Sequence, residues 1–185
     1  MKKPFLTGET ICLRPIEESD LNENYRDWFN DEEICRHNSH HRFPNYNENM
    51  EAYFRTTIQS ENNLVLAIAD KETDKHIGNI SLQNIDATNR SAEFAIIVGD
   101  KDYWGKGVGK EAAGLIIDHG FKQLNLHRIY CGTSEDNVAM RKLAELLGFT
   151  EEGIGRECFF KNGQYRSSIN YSILENEHKN TGSKS

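Results

Sequence analysis

Hydrophobic and polar positions change period several times along the chain. Residues 10–15 read as a short strand. Leu21, Tyr25, Trp28 and Phe29 then fall at i, i+4, i+7 and i+8, one face of a helix, with Ser19 or Asp20 placed to cap it and Asn30-Asp31-Glu32-Glu33 to end it. A polar stretch at 36–44 holds His37, His40 and His41. Residues 47–60 return to helical spacing through Met50, Tyr53, Phe54, Thr57 and Ile58. From Leu64 the pattern changes to strands, at 64–69, 76–85 and 91–98, separated by polar turns and forming an antiparallel meander. The last of these, Ser-Ala-Glu-Phe-Ala-Ile-Ile-Val, turns almost wholly apolar, which predicts burial of its end on both faces.

A glycine-rich segment at 99–110 leads into a helix reaching about Lys122, with Val108, Ala112, Leu115 and Ile116 as its stripe. A strand follows at 128–133, then a helix at 137–147 closed by Gly148, where a left-handed residue belongs. Cys158-Phe159-Phe160 and residues 165–174 flank Asn162-Gly163, a hairpin turn signal. The order β-α-α-β-β-β-α-β-α-β-β predicts a mixed α/β fold in a single domain over residues 1–175, followed by a loose polar tail at 176–185.

Composition narrows the function. Of 185 residues, 22 are Lys or Arg and 29 are Asp or Glu, a net charge of −7 that argues against a general nucleic-acid binder. No apolar run is long enough to span a membrane, and the first residues lack the apolar core of a signal peptide. Cys12, Cys35, Cys131 and Cys158 are widely spaced with no Cys-x-x-Cys pair, which favours a reducing cytoplasm over a disulfide scaffold or a zinc site. His37 and His41 are four apart, but Pro44 and the polar surroundings argue against a helix that would align them on a metal, and no metal is expected.

The sharpest local feature is Trp104-Gly105-Lys106-Gly107-Val108-Gly109-Lys110. Glycines let backbone N–H groups approach an anion, and the following helix start adds partial positive charge, so phosphate is the natural ligand. An ordinary glycine-rich helix cap is the alternative. A nucleotide-hydrolase P-loop would need glycine at Trp104 and Ser or Thr at Glu111. A dinucleotide fingerprint would need its third glycine one residue later.

This loop resembles the pyrophosphate loop of the GNAT superfamily of N-acetyltransferases, although Trp104 departs from the usual first residue. Glu93-Phe94-Ala95-Ile96-Ile97-Val98 resembles the family's fourth strand. Asn137 with Leu147-Gly148-Phe149 resembles its Asn…Leu-Gly-Phe helix, and Asn162-Gly163-Gln164-Tyr165 its closing hairpin. The resemblance runs from about Ile11 to Leu174. It is greatest to the branch containing ribosomal-protein, spermidine and amino-sugar acetyltransferases.

The resemblance implies acetyl-CoA as co-substrate in a gap between the fourth and fifth strands. Backbone of Ile96, Ile97 and Val98 would pair with the pantetheine and polarise the acetyl carbonyl. Residues Trp104, Gly105, Lys106, Gly107, Val108, Gly109 and Lys110 would hold the pyrophosphate, and Asn137 would reach the pantetheine. Glu93 is the candidate general base, its pKa raised by partial burial, unless it pairs with a neighbour such as Arg90. The usual proton donors are replaced by Ala144 and Met140; Tyr130 and Tyr103 are possible substitutes, and no acid is assigned.

On the acceptor side the resemblance points to Trp28, Asp31 and Arg42, with Arg36 and Arg42 facing a nucleotide-sugar phosphate or the acidic run at 31–33 drawing a cationic amine. Three functions remain open: acetylation of a small primary amine, either an amino sugar, free or nucleotide-linked, or a polyamine; acetylation of a ribosomal-protein N-terminus; and a CoA-binding regulator without turnover. Similar proteins are frequently homodimers.

Overall fold

The computed structural model describes residues 3–58 and 60–181. One mixed eight-stranded sheet carries the fold, in the order β1-β2-β3-β4-β5-β6-β8-β7. Its strands are β1 (Leu6–Thr7), β2 (Ile11–Pro15), β3 (Leu64–Asp70), β4 (His76–Asp86), β5 (Ser91–Val98), β6 (Arg128–Ser134), β7 (Thr150–Lys161) and β8 (Gln164–Leu174). Every neighbouring pair is antiparallel except β5 and β6, which run parallel. The parallel pair needs a crossover, supplied by helix α3 (Val108–Lys122).

Strand alternation divides the sheet into two faces. Leu66 and Ile68 of β3, with Ile80 and Leu82 of β4 and Phe94 of β5, pack against Ala112, Ala113, Ile116 and Ile117 of α3. Helix α4 (Val138–Leu146) joins that core through Ala144. On the other face Val65 and Ala67 meet Ile16 and Phe54. There α1 (Glu23–Asn30), α2 (Asn47–Tyr53) and a π-helical continuation (Phe54–Ile58) cover only part of the sheet. Tyr25 and Trp28 of α1 and Met50 of α2 form a small core of their own.

Local signals explain most boundaries. The α1 cap is Asn22, whose side chain accepts from Tyr25 N, rather than Ser19 or Asp20. Asp20 is instead consumed in the interior, where it pairs with Arg14 at 2.7 Å, both side chains being nearly inaccessible. Asn137 caps α4, and Gly148 ends it with φ +81°. Asn162 and Gly163, at φ +50° and +76°, form the turn that fixes the β7–β8 register.

The expected loose tail begins as a short helix, α5 (Glu175–Thr181). Its His178 ring packs on Phe121 and contacts Asp118, giving the segment a tertiary anchor. The rest of the expected tail, 182–185, lies outside the described residues.

Candidate functional site

The site begins where two neighbouring strands part. β5 pairs with β4 from Gln83↔Glu93 to Gly78↔Val98, but with β6 only at Ser91, Ala92 and Glu93. Beyond Glu93, alternate N–H and C=O groups of β5 point away from β4 and meet no strand. The end of β5 is therefore not buried on both faces, contrary to the reading of its apolar sequence. Ala95 is exposed and Ile96, Ile97 and Val98 are half-buried, because the sheet opens beside them. A row of unpaired backbone groups flanked by apolar side chains suits an extended ligand that adds as a strand.

The glycine loop lies at one end of this opening. Gly99 and Asp100 donate to Ile77 O, and Asp100 caps a short 3-10 turn. A Cβ at Gly99 would run into the Trp28 indole, so glycine is needed for that close approach. Tyr103 Oη donates to Asp70, and Trp104 Nε1 donates to Val98 O at 2.8 Å. The Trp104 bond occupies one of the β5 carbonyls expected to serve a ligand.

Gly105 and Gly107 then adopt φ +74° and +81°, and nothing stands within 4 Å of where their Cβ atoms would be. Gly107 is the N-cap of α3, whose first-turn N–H groups have no preceding helical carbonyl. Lys106 lies 5.4 Å from the Tyr103 ring centroid, and both Lys106 and Lys110 are exposed. Among the described residues no carboxylate forms an ion pair with either. Open backbone N–H groups, a helix start and two available ammonium groups fit a diphosphate.

A cavity of about 420 Å³ lies on the other side of β5. Asn79, Ser81 and Gln83 of β4 and Ala95 and Ile97 of β5 form its floor, with Tyr25, Phe29, Met50 and Tyr53 as walls. Asn38, His40, Asn45 and Asn49 complete the rim, so the lining carries no Asp, Glu, Lys or Arg. Glu93 lies opposite Gln83 in register and, by the two-residue period, on the same face as Ala95 and Ile97. Its Oε2 accepts from Asn84 Nδ2 at 3.0 Å. Arg90 is not its partner, being bonded to Asn125 and paired with Glu175. The Glu93 charge lies close enough to raise the Cys131 thiol, which burial pushes up to about 12.

The remaining candidates divide between the site and the scaffold. Trp28 is only 7% exposed, its indole edge-on to His76 at 4.9 Å, so it supports the loop from beneath and does not line the cavity. Asp31 is also structural: it accepts from Glu33 N and Ile34 N and pairs with Lys101, and Glu33 shares that lysine. The bond from Lys101 is the main cause of the lowered Asp31 pKa. Two carboxylates of the acidic run are thus neutralised beside the glycine loop.

Arg42 donates to Phe160 O and covers the Phe159 ring, joining the rim to the β7–β8 hairpin. Asn137 caps α4 through Oδ1 and donates to Thr133 through Nδ2, leaving one N–H and one lone pair unused. Ala144 is buried and Met140, partly buried, packs against the same core, and neither side chain has a proton to donate. Tyr103 is committed to Asp70, whereas Tyr130 lies opposite Glu93 on β6. Among the described residues no group of three or more His, Cys, Asp or Glu side chains is arranged to hold a metal ion. His37 contacts Asp136 instead.

Two features escape the hydrophobic pattern. His76 Nε2 lies 2.8 Å from Asn79 Oδ1, fixing one floor amide from below. Lys161 occupies an inward position at the end of β7 and is buried. A lysine immediately before the Asn-Gly turn was the available signal, but nothing in the sequence identifies its partners.

Comparison with known proteins agrees with this geometry. Residues 10–150 match the model of the acetyltransferase (GNAT) domain family. The spermidine N(1)-acetyltransferase of Escherichia coli K12 is 31% identical over 181 residues, covering 95% of this chain and 94% of that protein. The N-acetyltransferase p20 of Bacillus licheniformis is 31% identical over 180 residues, covering 94% and 97%. The crystal structure of spermidine N-acetyltransferase from Vibrio cholerae in complex with CoA and spermine superposes with a TM-score of 0.83. It is 28% identical and covers 92% of this chain and 98% of that one. The fold and that CoA-bound neighbour are consistent with acetyl-CoA as co-substrate. The chain belongs to the GNAT superfamily and is an N-acetyltransferase.

Proposed function

We propose that this enzyme acetylates the primary amine of a small, hydroxyl-rich acceptor, an amino sugar either free or carried on a nucleotide. The observation that carries this reading is the cavity lining: amides, hydroxyls, one imidazole and apolar groups, with no charged carboxylate or ammonium. Ring hydroxyls both donate and accept, as do the amides of Asn38, Asn45, Asn49, Asn79 and Gln83. A polyamine brings several positive charges, each needing a carboxylate when taken from water. Here Glu93, at the end of the floor, supplies one carboxylate for one amine.

Acetyl-CoA would supply an acetyl group activated as a thioester. The N-terminus of α3, with Gly105, Gly107, Gly109, Lys106 and Lys110, would bind its diphosphate. The backbone of Ile96 and the N–H of Val98, which face away from β4, would orient its arm, with Ile97 between them paired to Asn79, and one N–H there would stabilise charge on the reacting carbonyl oxygen. Glu93 would take the proton from the acceptor ammonium, directly or through one water, freeing the nitrogen lone pair. We infer a cytoplasmic site of action from the four unpaired cysteines, three of them buried.

The likeness to spermidine acetyltransferases supports a polyamine as the second reading. A thiol-release assay over amino sugars, nucleotide-linked amino sugars, polyamines and N-terminal peptides separates the candidates. Turnover confined to amino sugars is expected. Preference for spermidine would overturn the acceptor class, preference for peptides would favour ribosomal-protein acetylation, and acetyl-CoA binding without turnover would favour a regulator.

A further inference from the structure

Lys161 is the least accessible lysine among the described residues, 9% exposed at the end of β7. Among those residues no carboxylate forms an ion pair with it. Its Nζ donates instead to three backbone carbonyls of one distant loop: Cys35 O at 3.1 Å, Asn38 O at 3.2 Å, and His40 O. An ammonium group has three N–H donors, and all three are used. Burial pushes the Lys161 pKa below the ordinary lysine value, the sign of a cation held away from water.

Side chains of the loop have other ties, His37 to Asp136 and Arg42 to Phe160 O, and its start is secured separately. Asp31 and Glu33 are tied to Lys101, and the Cys35 thiol donates to Trp28 O. Past Cys35 the chain turns on itself through Asn38 N to Cys35 O and His40 N to Asn38 Oδ1. It then passes through His41 at φ +58°. Asn38 and His40 both line the cavity, His40 with its ring 4.6 Å from that of Phe29. This wall of the cavity therefore has its backbone carbonyls gathered on a single buried ammonium from the β7–β8 hairpin.

We propose that Lys161 is a positioning residue for the acceptor: it latches the turn at residues 35–40 across the cavity, so that Asn38 and His40 present their side chains to the bound amine substrate. Lys161 touches no reacting atom and acts through the carbonyls of its loop. The inference rests on the cavity being the acceptor site. Charge alone does not account for the arrangement, since a solvated lysine would serve a surface ion pair equally well. Nothing in it involves the glycine loop, so donor binding is separate from the latch.

The test uses the full chain with Lys161→Met, which keeps the stem and removes the donors, and Lys161→Gln, which keeps two N–H donors without charge. Hydrogen exchange is followed by mass spectrometry, and acetyl-CoA binding by calorimetry. Exchange over residues 36–42 should rise at least tenfold in Lys161→Met and less in Lys161→Gln, with α3 and β5 unchanged and acetyl-CoA affinity within twofold. With the best acceptor from the panel, KM should rise at least tenfold in Lys161→Met while kcat changes less than threefold.

Unchanged exchange at 36–42 overturns the latch. Faster exchange with an unchanged acceptor KM overturns its role in acceptor positioning. If Lys161→Met does not fold, Lys161→Gln decides by the same two readouts. If no acceptor on the panel turns over, the functional reading fails, and exchange together with acetyl-CoA affinity still judges the latch.

Discussion

Three glycines in and before α3 separate a ligand-binding role from a structural one. Gly107 has φ +81°, so alanine there would pay the left-handed penalty of about 1–2 kcal/mol, a fall of roughly 2–8 °C in Tm for a chain of this size. Gly109 has no such constraint, and its Cβ would sit in ordinary contact, 3.8 Å from Ile96 Cδ1. Gly114 lies within α3, and its Cβ would meet nothing within 4 Å. Alanine at 109 or 114 should therefore stabilise the helix by up to about 0.5–1 kcal/mol, roughly 1–4 °C in Tm.

Binding should divide these variants differently. With a diphosphate seated on the first-turn N–H groups, a methyl at 107 would stand in the open space before the helix, whereas at 109 it would turn towards Ile96 and at 114 it is remote. Losing one hydrogen bond to a charged group costs about 1.5–3 kcal/mol, at least tenfold in Kd. Calorimetry with acetyl-CoA should give Gly107→Ala at least tenfold weaker and Gly109→Ala and Gly114→Ala within about twofold of the parent. The informative comparison is Gly107→Ala with Gly109→Ala: the first should lose stability and affinity together, the second should gain stability and keep its affinity. If Gly107→Ala binds acetyl-CoA within twofold of the parent, the start of α3 does not seat the diphosphate.

Glu93→Gln should keep its bond from Asn84 and its fold, yet lose about 100-fold in kcat/KM; full activity across the pH range would remove Glu93 as the base. Burial alone would raise the Glu111 pKa, but bonds from the Thr10 hydroxyl and amide more than offset it and lower the value. Its stabilisation is thus complete above the ordinary glutamate value of 4.5 and is lost as pH falls through the lowered folded value. The gap in unfolding free energy between parent and Glu111→Gln should be widest at neutral pH and close as the pH falls below the ordinary glutamate value; a constant gap would contradict this assignment. A maleimide should label one thiol of the native protein, Cys158, because Cys12, Cys35 and Cys131 are buried; rapid labelling of two or more would show that the core opens.

The sequence was most legible where one local signal settles one local structure. Short apolar runs between polar turns at β3, β4 and β5, Gly148 at the end of α4 and Asn162-Gly163 between β7 and β8 all act within a few residues. Errors arose where a residue's role depends on a distant partner. Asp20 looked like a helix cap, but Arg14 takes it. Trp28 and Asp31 stood in the right segment for an acceptor, yet one lies beneath Gly99 and the other is held by Lys101. The cavity floor was hidden for a related reason: Asn79, Ser81 and Gln83 alternate with apolar residues as any solvent-facing strand would. Lys161 is the extreme case, since its partners lie more than 120 residues earlier.

The apolar end of β5 shows how one break in the sheet provides two surfaces. Period two sends Phe94 and Ile96 towards α3 and Ala95 and Ile97 towards the cavity. In a closed sheet both sets would be core and the backbone between them would be paired. Because pairing with β6 ends at Glu93, the backbone groups facing away from β4 meet no strand, with the start of α3 on one side and the amide-lined cavity on the other. A donor laid along the free edge and an acceptor in the cavity would meet across the thickness of a single strand. Glu93 is the last residue paired on both sides, so its carboxylate is held by the intact sheet at the point where the opening begins. That placement would give the proposed proton acceptor fixed geometry without burying it among apolar groups, and it follows from where the β5–β6 ladder stops.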